Sequence, residues 1–338
     1  MTEFVIRRIL WIVPVVLAVA AVTFFLMHRA PGGPWSAEKE VPASTQRALN
    51  ARFGLDKPQW VNPDAVGDAW DDGDRNPLTL GRELLDSQFF NYTFGVFRFD
   101  LGPSYASKGA ENVEDVILDK FPISAKIGLI GIIFAVVVGM PLGVLAALRQ
   151  NTWLDYLSLF VSTVGVSVPT FVSGLLLIIF LSQNLDISPI RKPDEWDGLG
   201  PAYILPGIVL GLGTMAYVAR LTRATMLETK RQDFVRTARS KGIAERGVIT
   251  RHMLRNAMIP VITIIGPATA DLVTGSIIIE SIFGAPGLGS EFVDSIQKRD
   301  YSMIMGTAIF YAVLVAAANV AVDLSYGFLD PRIRVRRG

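Results

Sequence analysis

Few side chains in this 338-residue chain are placed to do chemistry, and they form two groups. The first is the carboxylate pair Asp271 and Glu280. Asp271 is the one charge in an apolar block running from Ala257 to Ile279. A carboxylate inside a bilayer-length segment is costly, and it marks either a solute pathway or a polar contact with a neighbouring helix. Thr269 and Thr274 are the nearest candidates for such a contact. Glu280 opens the run Glu280-Ser-Ile-Phe283-Gly-Ala-Pro286-Gly287-Leu-Gly289, whose glycine-containing bends fit either a gate element or a rigid turn. The second group is basic: Asp233-Phe234-Val-Arg236-Thr237-Ala238-Arg239-Ser-Lys241-Gly242. There is no cysteine, which excludes disulfides, thiolate metal sites and a cysteine nucleophile. With only His28 and His252, a histidine-rich metal site is not expected either.

The basic stretch reads as a helix of about two turns. Asp233 is placed to cap its amino end, and Gly242 suits the left-handed residue just past its carboxyl end. Phe234 and Ala238 share a face at four-residue spacing. A second helix is expected over about 245–256, with Pro260 at the start of the next apolar span, where a missing amide does least harm. A short amphipathic pair with one exposed aromatic suits docking into a partner's groove. It equally suits a basic juxtamembrane stretch on anionic lipid heads.

The elements that must position these residues are membrane spans. Hydrophobic residues make up 51% of the chain and charged residues 19%, and mean hydropathy is +0.40. Five blocks are charge-free and near the length of about 20 residues that a bilayer requires. They are Ile9–Met27, Ile127–Leu148, Tyr156–Leu181, Pro201–Ala219 and Tyr301–Val322, and Ala257–Ile279 is the sixth. In hydrocarbon each must satisfy its own backbone, so each is expected to be a helix. The fold class is therefore an all-α integral membrane protein of six transmembrane helices. The first block reads as an uncleaved anchor, because His28-Arg29-Ala30-Pro31 is a poor signal-cleavage site. Gly128, Gly131, Gly139 and Gly143 suit close helix packing. Pro141, Pro169, Pro206 and Pro267 are each expected to interrupt a helix.

Charge sets the orientation. Residues 220–256 hold ten Lys and Arg against three acids, and the tail adds Arg332, Arg334, Arg336 and Arg337. Residues 30–121 are acidic, with a run at Asp68, Asp71, Asp72 and Asp74. Both termini are thus expected in the cytoplasm. Residues 30–121 are too long for a simple loop and rich in aromatics, so a small folded external subdomain is expected, helical near 43–53 and 111–120. The division is 1–29 anchor, 30–121 external subdomain, and 122–338 five-helix core with a cytoplasmic loop at 227–258.

The basic loop resembles the "EAA" loop of permease subunits of ATP-binding-cassette importers. Placed by Gly242, the general pattern matches Ala238, Gly242 and Leu254. The peptide-importer variant matches over Asp-Phe-Val-Arg-Thr-Ala-Arg-Ser-Lys-Gly242, then Arg251-His-Met-Leu-Arg-Asn-Ala-Met-Ile-Pro260. Arg29-Ala-Pro-Gly-Gly-Pro34, Phe53-Gly-Leu-Asp56, Phe99-Asp-Leu-Gly-Pro-Ser-Tyr105, the Glu280–Gly289 run and Asp330-Pro-Arg332 resemble segments of that branch's first, or B-type, permease. Phe99 stands where a glycine is usual, and residues 60–88 look like an enlarged insert.

This resemblance implies a heteromeric importer. The chain would pair with a second related permease above two cytoplasmic ATPase subunits, with an external substrate-binding protein delivering peptide. ATP and Mg would bind the ATPase subunits, and this chain would hold no cofactor, do no catalysis and bind no nucleic acid. The chain has no Gly-x4-Gly-Lys-Ser/Thr phosphate loop. The coupling residues implied are Asp233, Phe234, Arg236, Thr237, Ala238, Arg239, Lys241 and Gly242. Asp271, Glu280, Phe283, Pro286 and Gly287 are the candidates for a pathway or gate. The competing readings are an ion-gradient transporter, which needs more intramembrane ionisable groups than Asp271 supplies, and a membrane scaffold or channel subunit. The branch also carries nickel complexes and oligosaccharides, so the cargo stays open.

Overall fold

A computed structural model describes residues 2–35, 42–185, 190, 193–196, 198 and 200–329. The basic tail and the Asp330-Pro-Arg332 segment lie outside the described residues. Among the described residues the chain is helical, with one isolated β-bridge between Pro103 and Asn112 and no strand.

Helix α1 (Thr2–Arg29) is followed by four short helices: α2 (Ala43–Phe53), α3 (Pro63–Asp71), α4 (Pro77–Leu84) and α5 (Gln88–Val96). Each of α3, α4 and α5 begins with a polar cap accepting an amide of its first turn, from Asn62, Asn76 and Ser87 respectively. Pro63 and Pro77 at the first helical position add a preset φ. The chain then runs through α6 (Val113–Leu148), α7 (Trp153–Ser167), α8 (Thr170–Asn184), α9 (Ile204–Lys230) and α10 (Asp233–Ser240). It ends with α11 (Glu245–Gly247), α12 (Arg255–Val273), α13 (Ile277–Phe283), α14 (Leu288–Lys298) and α15 (Tyr301–Leu329).

Among the described residues, five helical stretches are long and apolar enough to span: Ile6–Arg29, Val113–Leu148, Pro201–Lys230, Glu245–Val273 and Tyr301–Ala321. The block over Tyr156–Leu181, expected as a helix interrupted by Pro169, is two helices, α7 and α8, bent by 107°. Pro169 explains the break. Its ring disfavours helical geometry in the preceding residue, and Val168 is extended at φ −83°, ψ 123°. The other prolines do not interrupt as expected. Pro141 and Pro267 lie inside continuous helices, and Pro206 falls in the first turn of α9, where no amide is needed. Pro260 does not start a span. The chain is continuously helical from Glu245 to Val273, with a π-helical turn at Val248–Leu254 joining α11 to α12.

The chain divides into two compact units, and hydropathy does not express this division. The first comprises residues 1–119 and 292–313, and the second residues 120–291 and 314–338. The first unit is built on Val16, Ala20, Phe24, Met27, Phe89, Tyr301, Met305 and Ile309. Asp300 organises one corner of it. Its buried carboxylate accepts from the Ser104 hydroxyl at 2.5 Å and from the amides of Tyr105, Ala106 and Met303 at 3.0–3.1 Å. In the second unit α6 and α9 meet backbone to backbone. A methyl at Gly139 would lie 2.6 Å from the Met215 carbonyl oxygen, and one at Gly131 would lie 3.0 Å from that of Gly207. These glycines permit the close packing expected of them. Asp155 of α7 grips Arg223 of α9 through two bonds, at 2.5 and 2.9 Å, and is itself 1% exposed.

Candidate functional site

Helix α10 hangs from the end of α9 by the turn Arg231-Gln232. Its cap is Gln232 and not Asp233, and no side chain accepts its first amides. Asp233 lies within the first turn, 95% exposed, and makes a loose 3.6 Å pair with Arg236. The acid still complements the helix dipole from that position. Gly242 ends the element as expected, at φ +75°. Its amide donates to Arg239 O, and that of Ile243 to Ala238 O, so the last carbonyls are satisfied.

Burial divides the face of α10 in a way the i, i+4 reading did not foresee. Val235 and Ala238 are buried in a cluster with Ala147, Met226, Val248, Met253 and Ala257. Phe234 is exposed, as are Arg236, Thr237, Arg239, Lys241 and Gly242. Ala238 therefore seats the helix on its own chain and does not share a face with Phe234. Val235 is the residue the sequence reading missed. Its i, i+3 spacing to Ala238 is the signal that could have found it. Ile243 is exposed just beyond, so Phe234 and Ile243 are large apolar groups left uncovered beside Arg236, Arg239 and Lys241. Arg239 is held by a bidentate bond to Glu245, at 2.7 and 3.1 Å, which ties α10 to α11.

The Glu280 run is a cradle. Ser276 caps α13, and Gly284 ends it at φ +66°. Glu280 is fully buried, and its Oε2 accepts from the Ser290 amide at 3.0 Å. The Ser124 hydroxyl accepts from the Leu288 amide at 2.9 Å and bonds the same carboxylate. Burial pushes the Glu280 carboxyl up, and bonds from Ser124 and the amides of Ser290, Gly289 and Ser276 pull against that shift. A methyl at Gly287 or Gly289 would fall 2.5 or 2.9 Å from Glu280 Oε2, so the glycines make room for the carboxylate. Gly287 is thus brought to Glu280. Phe283 is buried with Val209 and Ile279, and Pro286 is half-buried. Asp271 is not gathered with them. It lies exposed in the last turn of α12, and Thr269 and Thr274 bond backbone carbonyls, Thr274 that of Asp271 itself. Among the described residues no cluster of His, Asp or Glu is spaced to hold a metal ion.

The sequence profile described as "Binding-protein-dependent transport system inner membrane component" matches residues 139–335, which include α10 and the Glu280 cradle. The chain belongs to this family. Family members of this kind are multi-pass inner-membrane proteins, consistent with the apolar helices. The dipeptide transport system permease protein DppB of Bacillus subtilis is 37% identical over 338 residues, covering 100% of this chain and 99% of its own. The oligopeptide transport system permease protein OppB of Haemophilus influenzae is 35% identical, covering 99% and 100%. Among solved structures, the MetNI methionine ABC transporter in an inward-facing conformation aligns at TM-score 0.51 and 17% identity, over 64% of this chain and 96% of that one. An amino acid ABC transporter aligns at TM-score 0.50 and 17% identity, over 62% and 92%. These last two likenesses concern the fold, which is that of ABC transporter permeases.

Proposed function

We propose that this chain is one of two related membrane subunits of an ATP-driven importer that passes peptides delivered by an external binding protein. Two cytoplasmic ATPase subunits bind ATP and Mg and supply hydrolysis, and this chain catalyses nothing. The relatives named above, dipeptide and oligopeptide permeases matched over their full length, support peptide as the cargo. The single observation that carries the coupling role is the division of α10. Val235 and Ala238 fix the helix to the body of its unit, while Phe234 and Ile243 stay uncovered. A helix built this way transmits a push: Phe234 enters a groove on the ATPase, and the buried pair carries the motion into α9 and α12. Arg236, Thr237, Arg239 and Lys241 form the polar rim of that contact, and Asp233 and Gly242 set its ends. Closure of the ATPases then rocks the spans between inward-open and outward-open states. Asp271, Glu280, Phe283, Pro286 and Gly287 are assigned to the pathway and its external turn, with Glu280 and Gly287 shaping the turn and not touching cargo.

Co-purification with the products of neighbouring genes tests this. The wild-type chain should bring down an ATPase pair. Phe234→Ala removes the anchor and leaves the buried pair intact, so the complex should weaken by about 2 kcal/mol or more while the chain stays folded. Gly242→Pro should also uncouple, because proline fixes φ near −65° and the site sits at +75°. A chain that comes down alone and moves solute without ATP would instead be an ion-gradient transporter.

A further inference from the structure

The unit formed by residues 1–119 and 292–313 contains a cavity of about 240 Å³. Its walls are aromatic: Phe53, Tyr105 and Tyr301 line it, and Trp35 stacks behind Tyr105 at 5.7 Å. Its charge is the unusual part. Residues 30–121 carry fifteen acids and nine Lys and Arg, yet among the described residues no acid lines the cavity. Arg52, Lys57 and His28 do. Lys57 is already paired with Asp86 at 2.6 Å, and His28 bonds Phe24 O and Gln88 Oε1. Arg52 has no carboxylate partner among the described residues, and its guanidinium lies 5.6 Å from the centre of the Phe53 ring. It stands in the last turn of α2, whose end is fixed by Gly54 at φ +66°.

We propose that this cavity binds a carboxylate carried on an apolar body, namely the carboxyl-terminal residue of the peptide cargo. The volume lies below the roughly 300 Å³ at which pockets for drug-sized ligands begin, which suits one residue and not a whole peptide. Arg52 takes the carboxylate, the strongest geometry available to a guanidinium. The rings take the side chain. Among the described residues no lining acid competes for Arg52, and the Asp300 carboxylate behind Tyr105 is already held by four donors, the Ser104 hydroxyl and the amides of Tyr105, Ala106 and Met303. This inference rests on the peptide reading above for the source of the carboxylate, but the chemistry of the cavity does not.

The test uses the full chain in lipid nanodiscs and N-acetyl-L-phenylalanine as probe, with N-acetyl-L-phenylalanine amide and N-acetylglycine beside it. Binding is read by saturation-transfer NMR and calorimetry. The acid should bind saturably, and the amide about tenfold more weakly, since it lacks the charge-assisted bond. N-acetylglycine should also bind more weakly, because it leaves the rings uncovered. Arg52→Gln should weaken the acid by a similar factor and leave the amide unchanged. Arg82→Gln, which alters a cation of the same subdomain outside this cavity, should change nothing. Equal affinity for acid and amide, indifference to Arg52→Gln, or no saturable binding would each overturn the proposal. None of these readings depends on transport. Loss of the site would leave the peptide reading standing, and a non-peptide cargo would leave the binding result standing.

Discussion

At the residue scale, Phe99 is one of four described non-glycine residues held at positive φ, with Lys108, Asn151 and Arg299. It sits at φ +61° and is 90% exposed, so an aromatic side chain occupies a left-handed position and packs against almost nothing. That conformation costs a non-glycine residue about 1–2 kcal/mol. Glycine relieves it, at the expense of greater freedom in the unfolded chain. Phe99→Gly should therefore stabilise the protein by roughly 0.5–1 kcal/mol, seen as a higher thermal midpoint in detergent. An unchanged or lower midpoint would show that the ring has a contact that outweighs the strain. Here the sequence was legible: Phe99 stands where the resembled pattern has glycine, and the backbone takes the left-handed conformation that glycine favours. Gly95 shows the same turn from inside, because a methyl there would lie 2.7 Å from the Asp100 carbonyl oxygen. Asp86 is the residue with a readable pH response. The Lys57 ammonium and the Asn91 amide, bonded at 2.6 and 2.8 Å, hold its carboxyl below the usual range. A carboxylate depressed in the folded state stabilises above its unfolded pKa of about 3.9, and that contribution is lost as pH falls through the folded value. Hydrogen exchange around Pro58–Gln59 and Gln88–Phe89, which are joined by backbone bonds, should accelerate as pH drops below that range. In Asp86→Asn this acid-dependent component should be absent. An identical acid profile in the variant would remove Asp86 as its origin.

At the scale of elements, the pair Asp155–Arg223 ties α7 to α9, and α9 leads directly into α10. Removing one member strands the other. Asp155→Ala leaves the Arg223 guanidinium, only 21% exposed, without its counter-charge, and also deprives the Asn151 amide of its acceptor. The expected loss is about 3 kcal/mol, toward the low end for a buried pair because Arg223 is not fully enclosed. The double variant Asp155→Leu with Arg223→Met should recover most of it, since it buries no charge. If the double variant is as unstable as Asp155→Ala alone, the pair matters through packing and not charge. Hydropathy located this region but could not see the pair, because Asp155 lies at the edge of an apolar block and looks solvated in sequence. The break at Pro169 was legible from the proline itself, but its sharpness was not, because α7 and α8 are apolar on both sides of it. Of the two caps read from the sequence, Gly242 holds and Asp233 lies one residue inside the helix that Gln232 caps. Asn62, Asn76 and Ser87 act through neighbours equally close in sequence, but they were not read as caps. Val235 and Phe234 were confused because which face of a short helix is covered depends on Met226, Val248 and Met253, which arrive from α9 and the π-helical turn.

At the scale of the whole molecule, what determines function is which side each loop faces, and charge is the argument for it. Residues 220–256 are a short connection with ten Lys and Arg against three acids, the kind of segment whose charge sets orientation. Residues 30–121 are acidic but long, and long segments cross membranes largely regardless of charge. We propose that the first segment faces the cytoplasm; α6, the bent pair α7–α8 counted as one span, and α9 then separate it from residues 30–121 by three crossings and put the acidic subdomain outside. The absence of cysteine makes this directly measurable, because any introduced cysteine is the only thiol in the chain. Ser240 and Asp72 are both exposed in helix ends or turns, so cysteine at either should be tolerated. Asp72→Cys should react with a membrane-impermeant maleimide on intact cells. Ser240→Cys should react only after permeabilisation. The reverse pattern would place α10 outside, where no ATPase could meet Phe234, and would turn the aromatic cavity beside Arg52 toward the cytoplasm, where it could not receive delivered cargo. One labelling experiment thus bears on both ends of the transport path, because both proposed sites draw their meaning from the same orientation.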